Sequence, residues 1–271
     1  DVNAIIHVLR CFDNKDITHV DGEINPIRDI ETINTELILK DIETVEKRIH
    51  SISKLAKSGD KNAQKEYELM LLIVDELNDG NMIYSINLST SQKILIKSFS
   101  LLTSKPMIFV ANISEEELAN SNNSNNMKML LQYCKEKKQS LIILSGAIEM
   151  EIASMPKNEQ KEFLETYNLK ESGLSKMISE AYRILELETF FTAGPKEIHA
   201  WPILKGSTAP QAAGVIHTDF QRGFIKAEIY NIKDLVELKS EYEIKNAGRL
   251  RQEGKDYIIH DGDIIFFKFN V

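Results

Sequence analysis

Asn112 and Glu115 stand three positions apart in the stretch VANISEEE, residues 110–117, between an apolar run and an acidic, helix-prone one. An Asn amide offers a donor and an acceptor side by side, the geometry that pairs with the N6/N7 edge of adenine. A carboxylate instead accepts two N–H bonds from guanine, and it matches adenine poorly, because adenine presents an acceptor and one amino group there. Asn112 with a displaced Glu115 therefore leans toward adenine or toward relaxed purine specificity. The same letters also have a purely structural reading: Ser114 and Glu117 form a Ser-x-x-Glu capping box that opens a helix without any ligand. A second turn, Ser145-Gly146-Ala147 in LSGAIEMEI (residues 144–152), again follows an apolar run. Small residues there let backbone N–H groups at a helix start approach a purine ring closely, although an ordinary N-cap Ser accounts for them equally well.

His19 lies in a polar, turn-rich loop, NKDITHVDG. An imidazole there could orient a water or offset charge if the loop faced phosphates; otherwise it is a solvated side chain. None of the six histidines pairs with another at i, i+3 or i+4, so no metal site is expected.

The elements that must position these groups are legible in the apolar pattern. Residues 4–11, 107–113 and 140–144 are short continuous apolar runs, as expected for strands of a parallel sheet covered on both faces. Ligands of such sheets bind beyond the carboxyl ends of the strands, where Asn112 and Ser145 both fall. Residues 29–57 contain no Gly or Pro, and Ile42, Val45, Ile49, Ile52 and Ala56 form a coiled-coil-like stripe. KSGDKN breaks it, and a second helix over residues 63–78 carries Tyr67, Met70, Val74 and Leu77 on one side, giving an antiparallel helical hairpin. A helix over 173–186 precedes short alternating runs broken by Gly and Pro, which fit a small β-grasp module beginning near Glu188. Its last part reads as a hairpin, with HDGD (residues 260–263) as the turn between the arms YII and IIFFKF.

The bulk numbers narrow the class. With 42% apolar and 27% charged residues, 271 residues suffice for one to three globular domains. A net charge of −8 argues against a whole-surface grip on nucleic acid, yet leaves room for a local basic edge from Lys196, Lys205, Arg222 and Lys226. Cys11 and Cys134 read as two reduced, buried thiols of a cytosolic protein. No apolar run approaches the ~20 residues of a membrane span. The chain opens directly on a strand-like run without Met, so it reads as a fragment of a longer protein.

Taken together, HVLRCFDNKDITHVDGEINPIRDIETINTEL, VANISEEE, LSGAIEMEI, FFTAGPKEIHAW and GSTAPQAAGVIHTDFQRGFIKAEI closely resemble the YchF / Obg-like ATPase family, from residue 1 to residue 271. The resemblance implies an α/β fold: a partial P-loop NTPase sheet with an inserted helical hairpin and a C-terminal ubiquitin-like TGS β-grasp domain. It divides the chain into part of a G-domain (1–28), the hairpin insert (29–104), the base-reading part (105–187) and TGS (188–271). It implies base contacts from Asn112, the backbone of Ile113, Glu115 as part of the Asn-x-x-Glu motif, and the Ser145-Gly146-Ala147 turn, with His19 at the position of an assisting catalytic His. The implied function is a cytoplasmic, monomeric, ribosome-associated nucleotide hydrolase that takes ATP in preference to GTP and acts in translation-linked or stress regulation. Its partners would be the large subunit and rRNA, with neither a membrane nor DNA sequence specificity. The family's Walker A loop and switch segments do not appear in these residues, so Mg²⁺ and phosphate ligands are expected upstream and this segment alone is expected to be inactive. The alternative is a non-catalytic ribosome or RNA adaptor built from the hairpin and the C-terminal module.

Overall fold

The structure is a computed structural model that describes residues 2–12, 24–120, 124–194 and 197–270. The chain divides into two compact units, Asp1–Ala181 and Tyr182–Val271.

The first unit is built on three parallel strands, β1 (Ile5–Arg10), β2 (Met107–Asn112) and β3 (Ser140–Leu144), in the order β1-β2-β3. Their register sets Arg10, Asn112 and Leu144 side by side, so all three strands end at one level. The central strand is buried along Met107–Ala111, which is why it reads as an unbroken apolar run. The edge strand β1 departs from the expectation of cover on both faces. Its pattern alternates: Leu9 is buried and Ile5 packs on the core, whereas Ile6 and Val8 are 43% and 60% exposed on a face that no described element covers.

Between β1 and β2 the chain makes α1 (Pro26–Lys57) and α2 (Lys61–Asn78). Asn25 caps α1 by accepting from the Arg28 N–H, Pro26 takes the first-turn position, and Lys54 and Lys57 close it against the dipole. Asp60 caps α2 through the Asn62 and Ala63 N–H groups, after a turn in which Gly59 holds φ +96°. Ile38, Val45 and Ile52, each seven residues on from the last, pack with Leu69, Met70, Ile73 and Leu77 in one core, and an Arg48–Glu66 ion pair joins the two helices on the surface. The chain returns through α3 (Thr90–Lys97), and the loop after it is gripped by Asp41 of α1. That buried carboxylate accepts from the Leu102 N–H (2.9 Å), the Thr103 N–H (2.6 Å) and the Thr103 hydroxyl (2.6 Å). After β2 come α4 (Glu115–Asn120) and α5 (Asn125–Lys137), and after β3 come α6 (Gly146–Ser154), α7 (Lys157–Thr166) and α8 (Gly173–Ile184).

The second unit is a five-stranded mixed sheet. Its strands are β4 (Leu187–Ala193), β5 (Ile198–Leu204), β6 (Phe224–Asn231), β7 (Arg251–Glu253) and β8 (Asp263–Phe269), in the order β5-β4-β8-β6-β7. Helix α9 (Ala209–Ile216) buries Ala209, Ala212 and Ala213 against Phe190, Ile203, Ile229, Ile265 and Phe267. Three short helices, α10 (Thr218–Arg222), α11 (Ile232–Leu238) and α12 (Glu241–Asn246), fill the connections. The expected hairpin around HDGD does not form. Gly262, at φ +83°, does turn the chain, and β8 is one arm, but residues 257–259 do not pair with it. Instead Tyr257 O accepts from the Ala209 N–H and the Ile259 N–H donates to Ser207 O, so this stretch lies on the start of α9. Strand β8 is then free to sit centrally, parallel to β4 and antiparallel to β6.

Candidate functional site

The site begins where β2 ends. The Asn112 carbonyl accepts from the Cys11 N–H at 2.9 Å, and the next N–H, of Ile113, donates to Leu144 O at 2.9 Å. The backbone of residues 112–113 is thus held on both sides by neighbouring strands, and the Asn112 side chain projects from a fixed base. Its Oδ1 accepts from the Gly146 N–H at 2.9 Å, tying it to the Ser145-Gly146-Ala147 turn. Ser145 is the buried N-cap residue of α6, and its carbonyl takes the Glu149 N–H. A Cβ at Gly146 would make ordinary contact with the Asn112 amide, 3.4 Å from Oδ1 and 3.5 Å from Nδ2. The two motifs singled out by the sequence therefore meet in one hydrogen bond.

The amide is not equally available at both ends. Oδ1 is engaged by Gly146 and keeps one lone pair, while Nδ2 has no partner among the described residues. An N–H donor in this place matches N7, which adenine and guanine share. The Ile113 N–H is committed to β3, so a backbone contact from Ile113 to a base falls to its carbonyl oxygen, an acceptor.

The structural reading of VANISEEE holds as well. The Ser114 hydroxyl accepts from the Glu117 N–H at 3.2 Å, and Glu117 Oε2 accepts from the Ser114 N–H at 3.2 Å, closing a capping box on α4. Glu115, outside that box, accepts at Oε1 from the Tyr167 hydroxyl at 2.6 Å. Two contributors went unnoticed in the sequence. Glu149 accepts from the Gly173 and Leu174 N–H groups at 2.6 and 3.1 Å, which bolts α6 to the start of α8. Gly173 permits this approach, since a Cβ there would stand 2.6 Å from Leu144 Cβ and 2.9 Å from Glu149 Oε1. Glu149 reads locally as a first-turn acid of its own helix, and only the fold supplies its partner.

His19 lies outside the described residues. Among the described residues no group of three or more His, Cys, Asp or Glu side chains is arranged to hold a metal ion, and no helix is long and apolar enough to cross a membrane. Cys11 and Cys134 are buried and unbridged, and burial pushes their thiols up, to about 12 and about 11. Two of the four residues of the supposed basic edge, Lys205 and Lys226, lie at separate strands. Lys205 follows the edge strand β5 and pairs with Glu188 at 3.6 Å, whereas Lys226 stands on β6, beyond β4 and β8, donating to Gln252 of β7. Nearness along the chain does not translate into a shared edge, and Lys196 lies outside the described residues.

Comparison with known proteins places these features. Residues 187–270 match the family YchF-GTPase_C, described as "Protein of unknown function (DUF933)". The chain is 45% identical over 270 residues to the ribosome-binding ATPase YchF of Bacillus subtilis (strain 168), covering 100% of this chain and 74% of that protein. It is 42% identical over 274 residues to Obg-like ATPase 1 of Gallus gallus, covering 99% of this chain and 68% of that protein. The solved structure of the Schizosaccharomyces pombe YchF GTPase superposes with a TM-score of 0.87 at 34% identity, over 98% of this chain and 72% of that one. A GTP binding protein from Pyrococcus horikoshii OT3, at 21% identity and a TM-score of 0.62 over 99% of this chain and 79% of that one, shares the fold. With identity of this degree running the length of both units, the chain belongs to the YchF / Obg-like ATPase family.

Proposed function

We propose that this chain is the base-reading and partner-binding portion of a ribosome-associated nucleotide hydrolase that prefers ATP to GTP. The observation that carries the reading is the Gly146 N–H to Asn112 Oδ1 bond, which fixes, at the carboxyl ends of the parallel strands, an amide whose N–H donor has no partner among the described residues. Asn112 Nδ2 suits the purine N7. The Ile113 carbonyl suits the N6 amino group of adenine and is mismatched to the O6 acceptor of guanine. The Ser145-Gly146-Ala147 turn supplies small residues against which the ring can lie. Relatives named ribosome-binding ATPases support the ribosome as partner; a cytoplasmic setting, a role in translation-linked regulation, and contacts to the large subunit and rRNA are further parts of the proposal. The strand order β5-β4-β8-β6-β7, with β8 parallel to β4 and α9 across the sheet, supports a TGS β-grasp module in the second unit. The helical pair α1–α2 serves as an insert between strands of the P-loop sheet. Hydrolysis would need Mg²⁺ with the triphosphate, but the described residues offer no cluster suited to that ion, and none is assigned to it.

The test is direct. In the full-length protein, Asn112→Ala should weaken ATP binding about tenfold or more, by removing the N7 donor and loosening the Gly146 turn. Titration with a fluorescent ATP analogue and competition by ATP and GTP would measure it. Unchanged affinity would take Asn112 out of the site.

A further inference from the structure

Tyr167 is the C-cap residue of α7, and its ring packs against Phe163 with centroids 5.3 Å apart. Its hydroxyl donates to Glu115 Oε1 at 2.6 Å. The hydrogen bond to Glu115, with burial and the carboxylate's charge behind it, pushes the phenol up to about 12, so it remains a donor throughout the neutral range. The contact joins the residue that opens α4, just after Asn112, to the helical arm that begins with the Ser145-Gly146-Ala147 turn. It thereby ties together the two segments between which a base would lie.

The chemistry of a carboxylate at this place gives the tether a consequence. Guanine presents two adjacent N–H donors, N1–H and the N2 amino group, and a free carboxylate could accept both. Adenine presents an unprotonated N1, which a carboxylate repels. A Glu115 with both oxygens free would therefore favour GTP, against the preference that Asn112 and Ile113 set. We propose that Tyr167 is a positioning residue for nucleotide selectivity: by holding Glu115 Oε1, it keeps the carboxylate off the guanine edge. This rests on the base-site reading given under Proposed function.

The test uses the full-length protein and four variants of one cycle: parent, Tyr167→Phe, Glu115→Ala, and both together. ATP and GTP dissociation constants are measured for each by titration calorimetry. Tyr167→Phe should tighten GTP about three- to tenfold while ATP stays within about twofold, which lowers the selectivity ratio. The double variant should lose that gain, because the freed carboxylate is what guanine would use. A change of equal factor for both nucleotides would mark Tyr167 as merely structural and overturn the proposal, and so would a GTP gain that persists without Glu115. Failure of the parent protein to bind either nucleotide would instead overturn the base-site reading itself, and this proposal with it.

Discussion

The two ends of the Asn112 amide are placed differently: Oδ1 stitches β2 to the turn that starts α6, and Nδ2 has no partner among the described residues. A notional Cβ at Gly146 would stand 3.4–3.5 Å from that amide, an ordinary contact. The two glycines near this point should respond differently to substitution. Gly146→Ala adds a methyl at ordinary contact distance, so stability should change little while the proposed base pocket becomes more crowded. Gly173→Ala is another matter, with a methyl 2.6 Å from Leu144 Cβ and 2.9 Å from the Glu149 carboxylate. Neither neighbour is the loose end of a long chain: Leu144 ends β3, and Glu149 is held by two N–H groups of α8. Something must shift, at a cost of about 1–3 kcal/mol. Urea denaturation of Gly173→Ala beside Gly146→Ala should show a lower midpoint for the first alone. Equal midpoints would mean that α8 slides to accommodate the methyl.

The long helix α1 shows what an element-level pattern reveals and what it hides. The stripe through Ile42, Val45, Ile49, Ile52 and Ala56 is visible in the letters because helical packing repeats locally, and these residues do face α2 and its core. Asp41 beside them reads as one more polar residue on a solvated face, yet it is 2% exposed. Its partners, Leu102 and Thr103, lie 61 and 62 residues away, beyond the reach of any periodic signal. The HDGD stretch failed in the complementary way. Gly262 turns the chain as the Asp-Gly chemistry dictates, but the pairing of β8 is decided by β4 and β6, which are remote in sequence. Asn112 and Ser145 stand out in the letters because each ends an apolar run, whereas Tyr167, at the C-cap of α7, and Glu149, on α6, have nothing local to mark their partners. Asp41→Ala would leave the buried Thr103 N–H and hydroxyl without an acceptor, along with the Leu102 N–H. The expected loss is about 2–4 kcal/mol. Amide hydrogen exchange should speed up at residues 102 and 103 before it does in β2. Uniform acceleration across the unit would show that the clamp is not local.

At the scale of the whole molecule, each unit has an apolar core of its own. Leu9, Ile30, Met70, Phe109 and Leu130 belong to one apolar cluster, and Phe190, Ile229, Ile265 and Phe267 to another. Each cluster is assembled around its own sheet, with three parallel strands in the first unit and five mixed strands in the second. Cooperativity follows shared buried contacts, so separate cores should melt as separate transitions rather than as one. Phe190 is the sharpest probe: it is fully buried on β4, meets Phe267 of β8 edge-on at 5.9 Å, and lies among the alanines of α9. Phe190→Ala should remove about 3–5 kcal/mol from the second unit, through lost burial and the cavity left behind. Differential scanning calorimetry of the full-length protein should then show one transition moved down by several degrees and the other unmoved. Hydrogen exchange would assign the shifted transition to β4, β6 and β8, while ATP affinity, which we propose is set at Asn112 in the first unit, should persist. A single transition that shifts as a whole, taking nucleotide binding with it, would show instead that the two cores fold as one.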